Sequence, residues 1–487
     1  MINFLIYIAK GTPMNPTNPT PNHLYSDPLV SRYADTQIVN IFSDINRYST
    51  WRKLWIALAE GEKELGLPIT NEQIQQMKEN ITNIDFIDVA QIEAELQHDV
   101  MAHLHSFAKQ APLAKPIMHL GATSEFIKDN TDLILIRDSL AIIKASLKKL
   151  IEELSIFALT HKDVATVGFT HYQVAQPTTV GRRACLWLQS FLMDYKELLF
   201  IEQNLKFRSI KGTTGTLASF KELFSTEEDN GYKKVKELEE KIAKTFGFKQ
   251  HFSISGQTYD RKVDTSVLNL LAQIASSAHK MTNDIRLLQN LKEIEEGFGK
   301  KQIGSSAMPY KRNPIKCERV SSLAKYLMSL PVSGLMVAST QWLERTLDDS
   351  ANRRITLPQG FFSASAILKL LVDIVSNLSV NTKVIHKNLM AEIPFLATEN
   401  IMMEAVKQGG DRQVLHEKIR EYAIATKKAM VEDGKENDLL EKILNDSIFN
   451  LDKSKLEAII NVDNFIGYSK EQVVEFIENE VTPIIKK

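Results

Sequence analysis

The chain has little cysteine, little net charge and little of the alternation that marks β-strands. Its two cysteines, Cys185 and Cys317, lie far apart and without metal-ligand spacing, which excludes a disulfide framework and a cysteine-based zinc site. The formal net charge of -1 shows no excess of positive charge of the kind that binds nucleic acid or an anionic membrane. We therefore expect no nucleic-acid or membrane partner, a reducing cytoplasmic location, and two buried thiols.

Long apolar runs are also scarce. The apolar stretch from Met1 to Ile8 is too short to span a bilayer, lacks a basic n-region and precedes no small-residue cleavage site. Residues 1–21 are interpreted as a disordered tail, because Pro, Thr and Asn dominate the residues after that stretch. No other segment is interpreted as transmembrane, which favours a soluble protein.

The rest of the composition is typical of a large globular protein. The 487 residues exceed one ordinary core, and 44% of them are apolar and 24% charged. We expect an N-terminal helical domain at residues 22–123, a central long-helix domain at 124–376 and a C-terminal helical domain at 377–487.

Two segments carry the three–four apolar spacing of long helices packed side by side. Their apolar positions are Leu133, Ile136, Leu140, Ile143, Leu147, Leu150, Leu154 and Phe157, and then Val267, Leu271, Ile274, Ala278, Met281, Ile285 and Leu288. A third segment, Thr178 to Phe207, is apolar nearly all round, with Pro177 expected in its first helical turn. Such helices need cover on most sides, which favours an oligomeric bundle over one large internal core.

Two further helical regions lie beyond these three. One runs from about Cys317 to Arg345, with a kink or interruption expected at Pro331, and the other from about Phe361 to Ser376. The predicted fold class is therefore all-α, with three mostly helical domains and a central long-helix bundle.

The most unusual segment is the loop from Gly304 to Pro314, GSSAMPYKRNP. It can place the hydroxyl of Ser305 beside the fixed positive charge of Lys311, as a serine needs if it is to remove a carbon-bound proton. The alternative is an ordinary polar connection between two helices, because Gly, Ser and Pro mark loops in many proteins.

Two histidine-containing segments are candidates for proton transfer. Thr170 and His171 lie between two long helices, among hydroxyls and amides that could fix the imidazole tautomer; the alternative is a surface histidine. The segment Gln97-His98-Asp99 precedes two more histidines, His103 and His105, in a pattern that suggests a metal site.

Helical geometry argues against that metal site. His98 and His103 are five residues apart, whereas zinc-binding pairs prefer one helix face at three or four residues apart. We expect no metal, and interpret His98 and Asp99 as polar residues of a pocket wall.

Several segments could bind anions. Arg345, Ser350 and Arg354, with Arg319 after the Ser305 loop, combine guanidinium and hydroxyl groups as in a phosphate clamp. The alternative is a solvated charged turn that pairs with Asp348 and Asp349. The small residues at 121–124 and 211–216 match no phosphate-loop pattern, and each segment alone favours a plain turn.

These segments, in this order, resemble the adenylosuccinate lyase family of the fumarase/aspartase superfamily, from about Tyr25 to the C-terminus. The Ser305 loop indicates the superfamily, and the Lys-Arg-Asn-Pro after its tyrosine, with the run from Asp348 to Arg354, indicates the family. Tyr310 stands where many bacterial members have histidine, which resembles the animal-type subgroup. The other matching segments are Ser31-Arg32-Tyr33, His98-Asp99, Gly121-Ala122-Thr123-Ser124, Thr170-His171 and Ser255-Gly256-Gln257-Thr258.

The resemblance implies three mostly helical domains and a homotetramer whose active sites combine residues from three subunits. It implies release of fumarate from adenylosuccinate, giving AMP, and from succinyl-aminoimidazole-carboxamide ribotide (SAICAR), giving AICAR. No metal or organic cofactor is implied.

The resemblance also implies a role for each matching residue. Ser305 would be the general base, His171 the general acid, and Lys311 would hold the dianionic intermediate, with His98 also among the catalytic residues. The residues implied to bind or support the substrate are Arg32, Tyr33, Gln97, His98, Asp99, Thr123, Ser124, Thr170, Gln257, Arg319, Arg345, Ser350 and Arg354.

One position departs from the family pattern. Members usually have arginine immediately before the His-Asp pair, and this chain has Gln97. Two other hypotheses stay open, namely another lyase of the superfamily, acting on argininosuccinate, aspartate or fumarate, and a helical scaffold or storage protein without the chemistry. The Arg345–Arg354 run argues against the first, because those substrates lack phosphate, and Ser305, Lys311 and His171 argue against the second.

Overall fold

The fold is described by a computed structural model that covers residues 25–299 and 301–486. Helices dominate these residues, and their strands form two small two-stranded sheets, which confirms the all-α class. The predicted tail at residues 1–21 lies outside the described residues.

The N-terminal part consists of short helices around one long one. It begins with a π-helical turn at Leu29–Tyr33 and includes a 3-10 turn at Pro112–Ile117. Its α-helices are α1 (Thr36–Ile41), α2 (Asp44–Glu64), α3 (Asn71–Glu79), α4 (Phe86–Leu96) and α5 (Asp99–Gln110).

Five long helices form the centre of the molecule. They are α6 (Ser124–Thr160), α7 (Val180–Asn204), α10 (Lys262–Asn290), α11 (Ile315–Ser339) and α12 (Asp349–Ser376). Two short helices, α8 (Ala218–Phe224) and α9 (Tyr232–Thr245), lie in the connection between α7 and α10. Every apolar position of the two predicted three–four patterns is buried in α6 or α10, which confirms both helices and the packing expected of them.

The start of the third predicted helix needs a correction. Pro177 lies in a β-strand, and the helix begins three residues later, at Val180, with Thr179 as its N-cap. The side-chain oxygen of Thr179 accepts a hydrogen bond of 3.1 Å from the backbone N–H of Arg182. The helix is therefore capped by a hydroxyl group. Pro177, which has no N–H to donate, lies instead in a two-stranded sheet, where each strand has an open edge that tolerates proline.

The bounds of the later helices also differ from expectation. Helix α11 runs through Pro331 without interruption, and it stops at Ser339, well before Arg345. Helix α12 starts at Asp349 instead of near Phe361, so Ser350 and Arg354 lie on a helix. The second half of the charged run, Asp349 to Arg354, therefore belongs to the first turns of a core helix, whereas Arg345 lies in the loop before it.

Residues between α6 and α7 form a β-hairpin that sequence patterns did not predict. Strand β1 (Ala165–Thr170) pairs antiparallel with β2 (Gln173–Thr179), and Thr170 pairs with Gln173. The two turn residues, His171 and Tyr172, both have positive φ, 52° and 57°, as a tight type I′ hairpin turn requires.

The C-terminal part is a set of shorter helices. A second small sheet joins β3 (Ile294–Glu295) to β4 (Ser379–Val380). The helices after β4 are α13 (Thr382–Leu396), α14 (Thr398–Lys407), α15 (Arg412–Glu432), α16 (Leu439–Asn445), α17 (Lys453–Ile459), α18 (Ser469–Phe476) and α19 (Thr482–Ile485). Single turns of 3-10 or π helix occur at Ser447–Phe449, Val462–Asn464 and Ile477–Val481.

Three hydrophobic clusters hold these parts together. The largest joins the five long helices, the second joins α2 and α5 to residues 207–259, and the third lies in the C-terminal part. Strand β1 contributes Val167 to the third cluster, where it packs with Leu389 and Ile393 of α13. Cys185 and Cys317 are buried as expected, and burial raises the pKa of both thiols.

Helices α11 and α12 are long and apolar enough to cross a membrane by length and composition. This corrects the expectation that no segment after the N-terminal stretch meets that criterion. The apolar windows of the two helices are 44% and 67% buried, and both helices pack against α10 within the largest cluster. Core helices of folded proteins meet the same criterion.

Candidate active site

A cavity of about 380 Å³ lies where α2, α6 and α12 meet. Four predicted site residues line it: Asp99, Arg345, Ser350 and Arg354. Its other lining residues are Phe42, Asp44, Arg47, Tyr48, Trp51, Glu125, Lys128, Asp132, Ile136, Asp349, Arg353, Leu357, Pro358 and Phe362. Helix α6 contributes Glu125, Lys128, Asp132 and Ile136 to the lining. These residues follow each other at intervals of three or four, so they lie on one face of the helix.

Asp99 is the first residue of α5 and joins two cations in this cavity. Its Oδ2 accepts a hydrogen bond of 2.9 Å from Nη2 of Arg354, and its Oδ1 lies 2.9 Å from Nζ of Lys128. Burial opposes ionisation of Asp99, but Lys128 and Arg354 outweigh it and lower the pKa of the carboxyl. His98 is the N-cap of α5 and not an interior helical residue as expected, and its Nδ1 accepts from the backbone N–H of Met101 at 3.4 Å.

Arg345 reaches the cavity from the loop before α12. Its Nη1 donates to Oδ1 and Oδ2 of Asp349 at 2.8 and 2.9 Å, and its Nη2 lies 3.4 Å from Oε1 of Glu125. Asp349 is fully buried and also accepts a 2.7 Å hydrogen bond from Nε of Arg261, which donates to Asp129 at 3.0 Å. Arg345 is therefore tied into a buried ionic network that fixes its position.

A second branch of this network holds Arg353. Its guanidinium lies 3.0 Å from Oδ2 of Asp132, and its Nε donates to Oδ2 of Asp264. Asp132 also accepts a hydrogen bond of 2.7 Å from Nη1 of Arg47. The floor of the cavity thus alternates positive and negative groups, which satisfies the buried charges.

Glu125 differs from the other carboxyl groups of the cavity. It is 5% exposed, and burial raises its pKa to about 7, with a further contribution from the charge of Asp129. The positive charge of Arg345 acts in the opposite direction without cancelling the shift. Near neutral pH this residue is therefore poised between its neutral and charged forms.

Thr123, Ser124 and Gln257 form a polar group next to the cavity. Thr123 is the N-cap of α6, and Nε2 of Gln257 donates to its Oγ1 at 3.4 Å. The backbone N–H of Gln257 donates to the carbonyl of Glu344 at 3.0 Å. A Cβ on Gly256 would collide with that same carbonyl, so glycine permits the close approach of the two segments. The N-terminus of a 37-residue helix favours negative charge at this end.

A second cationic group surrounds Tyr33. The guanidinium carbons of Arg32 and Arg319 lie 5.7 and 5.6 Å from the centre of the Tyr33 ring. Arg319 comes from α11 and Arg32 from the N-terminal π-helical turn. The fold thus brings Arg319, which is distant in the sequence, to the same cation–π contact as the adjacent Arg32 and Tyr33.

The Ser305 loop is closed on itself. The amide of Asn313 donates to the carbonyl of Gly304 at 2.8 Å, and a Cβ on Gly304 would collide with the carbonyl of Lys311. Oγ of Ser305 accepts hydrogen bonds from the backbone N–H groups of Ala307 and Met308 at 3.3 and 3.1 Å. N–H donors aimed at a serine oxygen stabilise negative charge on it.

Ser305, Lys311 and His171 stand apart from the cavity in the single chain. Among residues 25–299 and 301–486, no hydrogen bond or ion pair joins any of the three to a cavity residue. Thr170 and His171 are exposed at the hairpin tip, and Gln97 is an exposed C-cap with φ 52°. The single chain therefore brings together more of the predicted binding residues than of the predicted proton-transfer residues.

Sequence patterns missed Glu125, Lys128, Asp129 and Arg261. Each lies in or near a predicted motif, but single charged residues on an amphipathic helix carry no local signal of burial. The one available clue was the spacing. Lys128 follows Ser124 by four residues and Glu125 by three, which places all three on the same helix face.

The chain is similar to known lyases along most of its length. The family model described as Lyase matches residues 30–328, and the model described as Adenylosuccinate lyase C-terminus matches residues 394–476. The curated adenylosuccinate lyase of Schizosaccharomyces pombe is 46% identical over 461 residues, covering 94% of this chain and 95% of that protein. That of Saccharomyces cerevisiae is 47% identical over 460 residues, with 94% and 95% covered.

Solved structures show the same fold at lower identity. The 3-carboxy-cis,cis-muconate lactonizing enzyme from Pseudomonas putida has a TM-score of 0.80 and 22% identity, covering 93% of this chain and 98% of that chain. A fumarate lyase from Mesorhizobium sp. BNC1 has a TM-score of 0.77 and 22% identity, covering 94% and 100%. From its family-model matches and its close relatives over nearly the whole length, the chain belongs to the adenylosuccinate lyase family of the fumarase/aspartase superfamily.

Proposed function

We propose that this chain is a carbon–nitrogen lyase that releases fumarate from adenylosuccinate, giving AMP, and from SAICAR, giving AICAR, in purine nucleotide biosynthesis. The observation that carries the proposal is the cavity lined by Arg345, Ser350 and Arg354, in a chain 46% identical to a named adenylosuccinate lyase. A succinyl nucleotide carries a phosphate and two carboxylates, and these residues offer the donors that such groups need.

The substrate phosphate binds in the cavity. Arg345 and Arg354 supply guanidinium groups there, and Ser350 supplies a hydroxyl in the first turn of α12. Arg32, Tyr33 and Arg319 form a second group of donors that contacts the nucleotide. Because Asp349 and Asp99 fix the two cavity arginines, the site is ordered before the substrate arrives.

The succinyl part lies next to the N-terminus of α6. Thr123, Ser124 and Gln257 donate or accept hydrogen bonds there, and Gln97, His98, Asp99 and Thr170 support the site as a whole. Negative charge that develops on the carboxylate beside the carbanion is stabilised by the positive end of this helix and by Lys311.

The reaction is a β-elimination that needs one base and one acid. Ser305 removes the proton from the succinyl carbon, and the electron pair of that C–H bond becomes the new C=C bond of fumarate. The C–N bond breaks, its electron pair stays on nitrogen, and His171 protonates that nitrogen. The elimination is redox-neutral, and we propose that it proceeds with no metal or organic cofactor.

The separation of Ser305 and His171 from the cavity supports an assembly in which subunits share each site. We propose a homotetramer. Apolar side chains of α7 recur at heptad spacing on its exposed face: Leu186, Met193 and Phe200, which are 47%, 65% and 60% exposed in the single chain. Helix α11 likewise exposes Val332 and Met336. Such faces on long central helices favour burial against other copies of the chain.

The enzyme works in the cytoplasm on a small-molecule substrate, in this proposal, with no nucleic-acid or membrane partner. Two buried thiols and a net charge of -1 support that location and those partners.

Ultraviolet absorbance of the purified chain with adenylosuccinate tests the function. We expect loss of adenylosuccinate with matching production of fumarate and AMP, and a similar result with SAICAR. Argininosuccinate, aspartate and malate provide the comparison for other lyases of the superfamily. Fumarate from one of these and none from adenylosuccinate would contradict the assignment, and no fumarate from any of them would favour a scaffold protein.

A further inference from the structure

Lys128 lies on the wall of the cavity that also contains the residues proposed to bind the phosphate. It is four residues after Ser124 on α6, so it occupies the same helix face one turn further along. Its side chain is 18% exposed and lines the same cavity as Arg345 and Arg354. No sequence motif singles it out.

The ammonium group of Lys128 has hydrogen-bonding capacity to spare. Its Nζ lies 2.9 Å from Oδ1 of Asp99. Among the residues that the structure describes, Asp99 is the one carboxylate within ion-pair distance of it. An ammonium group has three donors, so two remain for another acceptor.

Asp99 holds Lys128 and Arg354 on opposite oxygens of one carboxylate. The two cations are therefore neighbours, and Arg354 belongs to the proposed phosphate clamp. The cavity wall contains the clamp residues but not Thr123, Ser124 or Gln257, which belong to the succinyl end. Lys128 therefore faces the phosphate end of the substrate.

We infer that Lys128 binds the substrate phosphate directly, as a further cation of the clamp that Asp99 holds in place. The inference rests on the proposed function and names a contact that the family pattern does not include. Lys128 places a positive charge beside the Asp99 carboxylate from α6.

Binding of AMP and adenosine to the full-length protein, measured by calorimetry, tests the inference. Lys128→Met should weaken AMP binding by about 10- to 100-fold, as expected for loss of a hydrogen bond between charged groups, and leave adenosine binding unchanged. Lys128→Arg should retain AMP affinity within a few-fold. Lys144→Met is the matched control, because Lys144 is on the same helix and pairs with Glu202 away from the cavity.

A double variant separates direct contact from an effect through Asp99. If Lys128 only neutralises Asp99, Lys128→Met will have no effect in an Asp99→Asn background. Direct contact predicts that Lys128→Met still weakens AMP binding in the Asp99→Asn background, although by less than in the native background, because Lys128 there has lost the carboxylate that holds it. The inference is overturned if that loss is absent from the Asp99→Asn background, or if AMP affinity is unchanged in Lys128→Met.

The result also separates this inference from the proposed function. If wild-type protein releases fumarate and binds AMP while Lys128→Met binds AMP equally well, only the role of Lys128 is wrong. If wild-type protein neither binds AMP nor releases fumarate from adenylosuccinate, the proposed function fails first and the phosphate contact with it.

Discussion

Arg345 and Asp349 are joined by two hydrogen bonds, of 2.8 and 2.9 Å, from one guanidinium nitrogen to both carboxylate oxygens. Asp349 is fully buried, and Nε of Arg261 also donates to it, at 2.7 Å. A carboxylate with two arginine partners keeps both cations in place without placing net negative charge on the phosphate site. The position of Arg345 thus depends on a residue inside the protein.

Asp349→Asn should raise KM for adenylosuccinate about 10-fold with a smaller change in kcat, because Arg345 loses its anchor while Ser305 and His171 are untouched. It should also lower the free energy of unfolding by about 3–5 kcal/mol, since Arg261 keeps a buried charge with one partner fewer. Steady-state kinetics and urea unfolding measure both effects. Asp348→Asn, at an adjacent exposed carboxylate, is the control and should change neither.

An Asp349→Asn protein that is folded and has wild-type KM would show that Arg345 needs no anchor. Arg345→Ala provides the upper limit, because it removes the phosphate contact itself and should raise KM more than Asp349→Asn does.

Ser305→Ala should reduce kcat by at least about 10²-fold, while AMP binding stays near wild type, since general-base removal of a carbon-bound proton is lost and the cavity is unchanged. Single-turnover absorbance with adenylosuccinate measures the chemical step. Ser306→Ala is the adjacent control. A near-wild-type kcat in Ser305→Ala would remove this residue from the base role.

Glu125 should make AMP affinity depend on pH. Its folded-state pKa, about 7, is raised above the ordinary 4.5, so it ionises as pH rises through 7 and places negative charge beside Arg345. A nucleotide phosphate with a second pKa of about 6 is already mostly dianionic there. The dissociation constant for AMP should therefore rise several-fold between about pH 7 and pH 8.5.

Glu125→Gln should remove that rise, because an amide cannot ionise. The raised pKa also affects stability, because the folded state favours the neutral carboxyl of Glu125. The contribution of this carboxyl to the free energy of unfolding is complete below pH 4.5 and is lost as pH rises through about 7. An identical pH profile for AMP binding in wild type and Glu125→Gln would mean that another group controls it.

Mixing two inactive variants should restore activity if subunits share each site. Ser305→Ala and His171→Gln, unfolded together and refolded as mixed assemblies, should recover about a quarter of wild-type activity, because random assembly leaves that share of sites with both residues intact. Activity after co-refolding, compared with each variant refolded alone, measures this. No recovery from mixed oligomers of confirmed composition would mean that both residues of a site come from one chain.

The long helices were predictable because their signal is local. Leu133 to Phe157 and Val267 to Leu288 repeat at intervals that only a packed helix satisfies, and all of these residues are buried. The motifs at Asp99 and at Arg345–Arg354 could also be picked out as candidate site segments, because guanidinium and carboxylate groups are conspicuous outside a core. Their presence in one cavity confirms that they lie together.

The features that sequence could not predict depend on distant partners. The β-hairpin at Ala165–Thr179 has too few residues for a clear alternation, and its turn is formed by His171 and Tyr172 where glycine or asparagine is usual. Proline is common in first helical turns, which favours a helix at Pro177, but here a strand precedes the cap. The network around Arg261 joins carboxylates 132 and 88 residues away in the sequence, so no short pattern contains it.

The hairpin that carries His171 has its own consequence. Val167, on the strand that leads to the histidine, is 2% exposed and packs with Leu389 and Ile393 of α13. The C-terminal helices therefore support the hairpin that carries His171, the proposed general acid. A chain shortened before α13 would keep every residue assigned to catalysis and lose the surface on which one of them rests. Substitutions of Leu389 or Ile393 should therefore reduce activity in the same way as a substitution of His171.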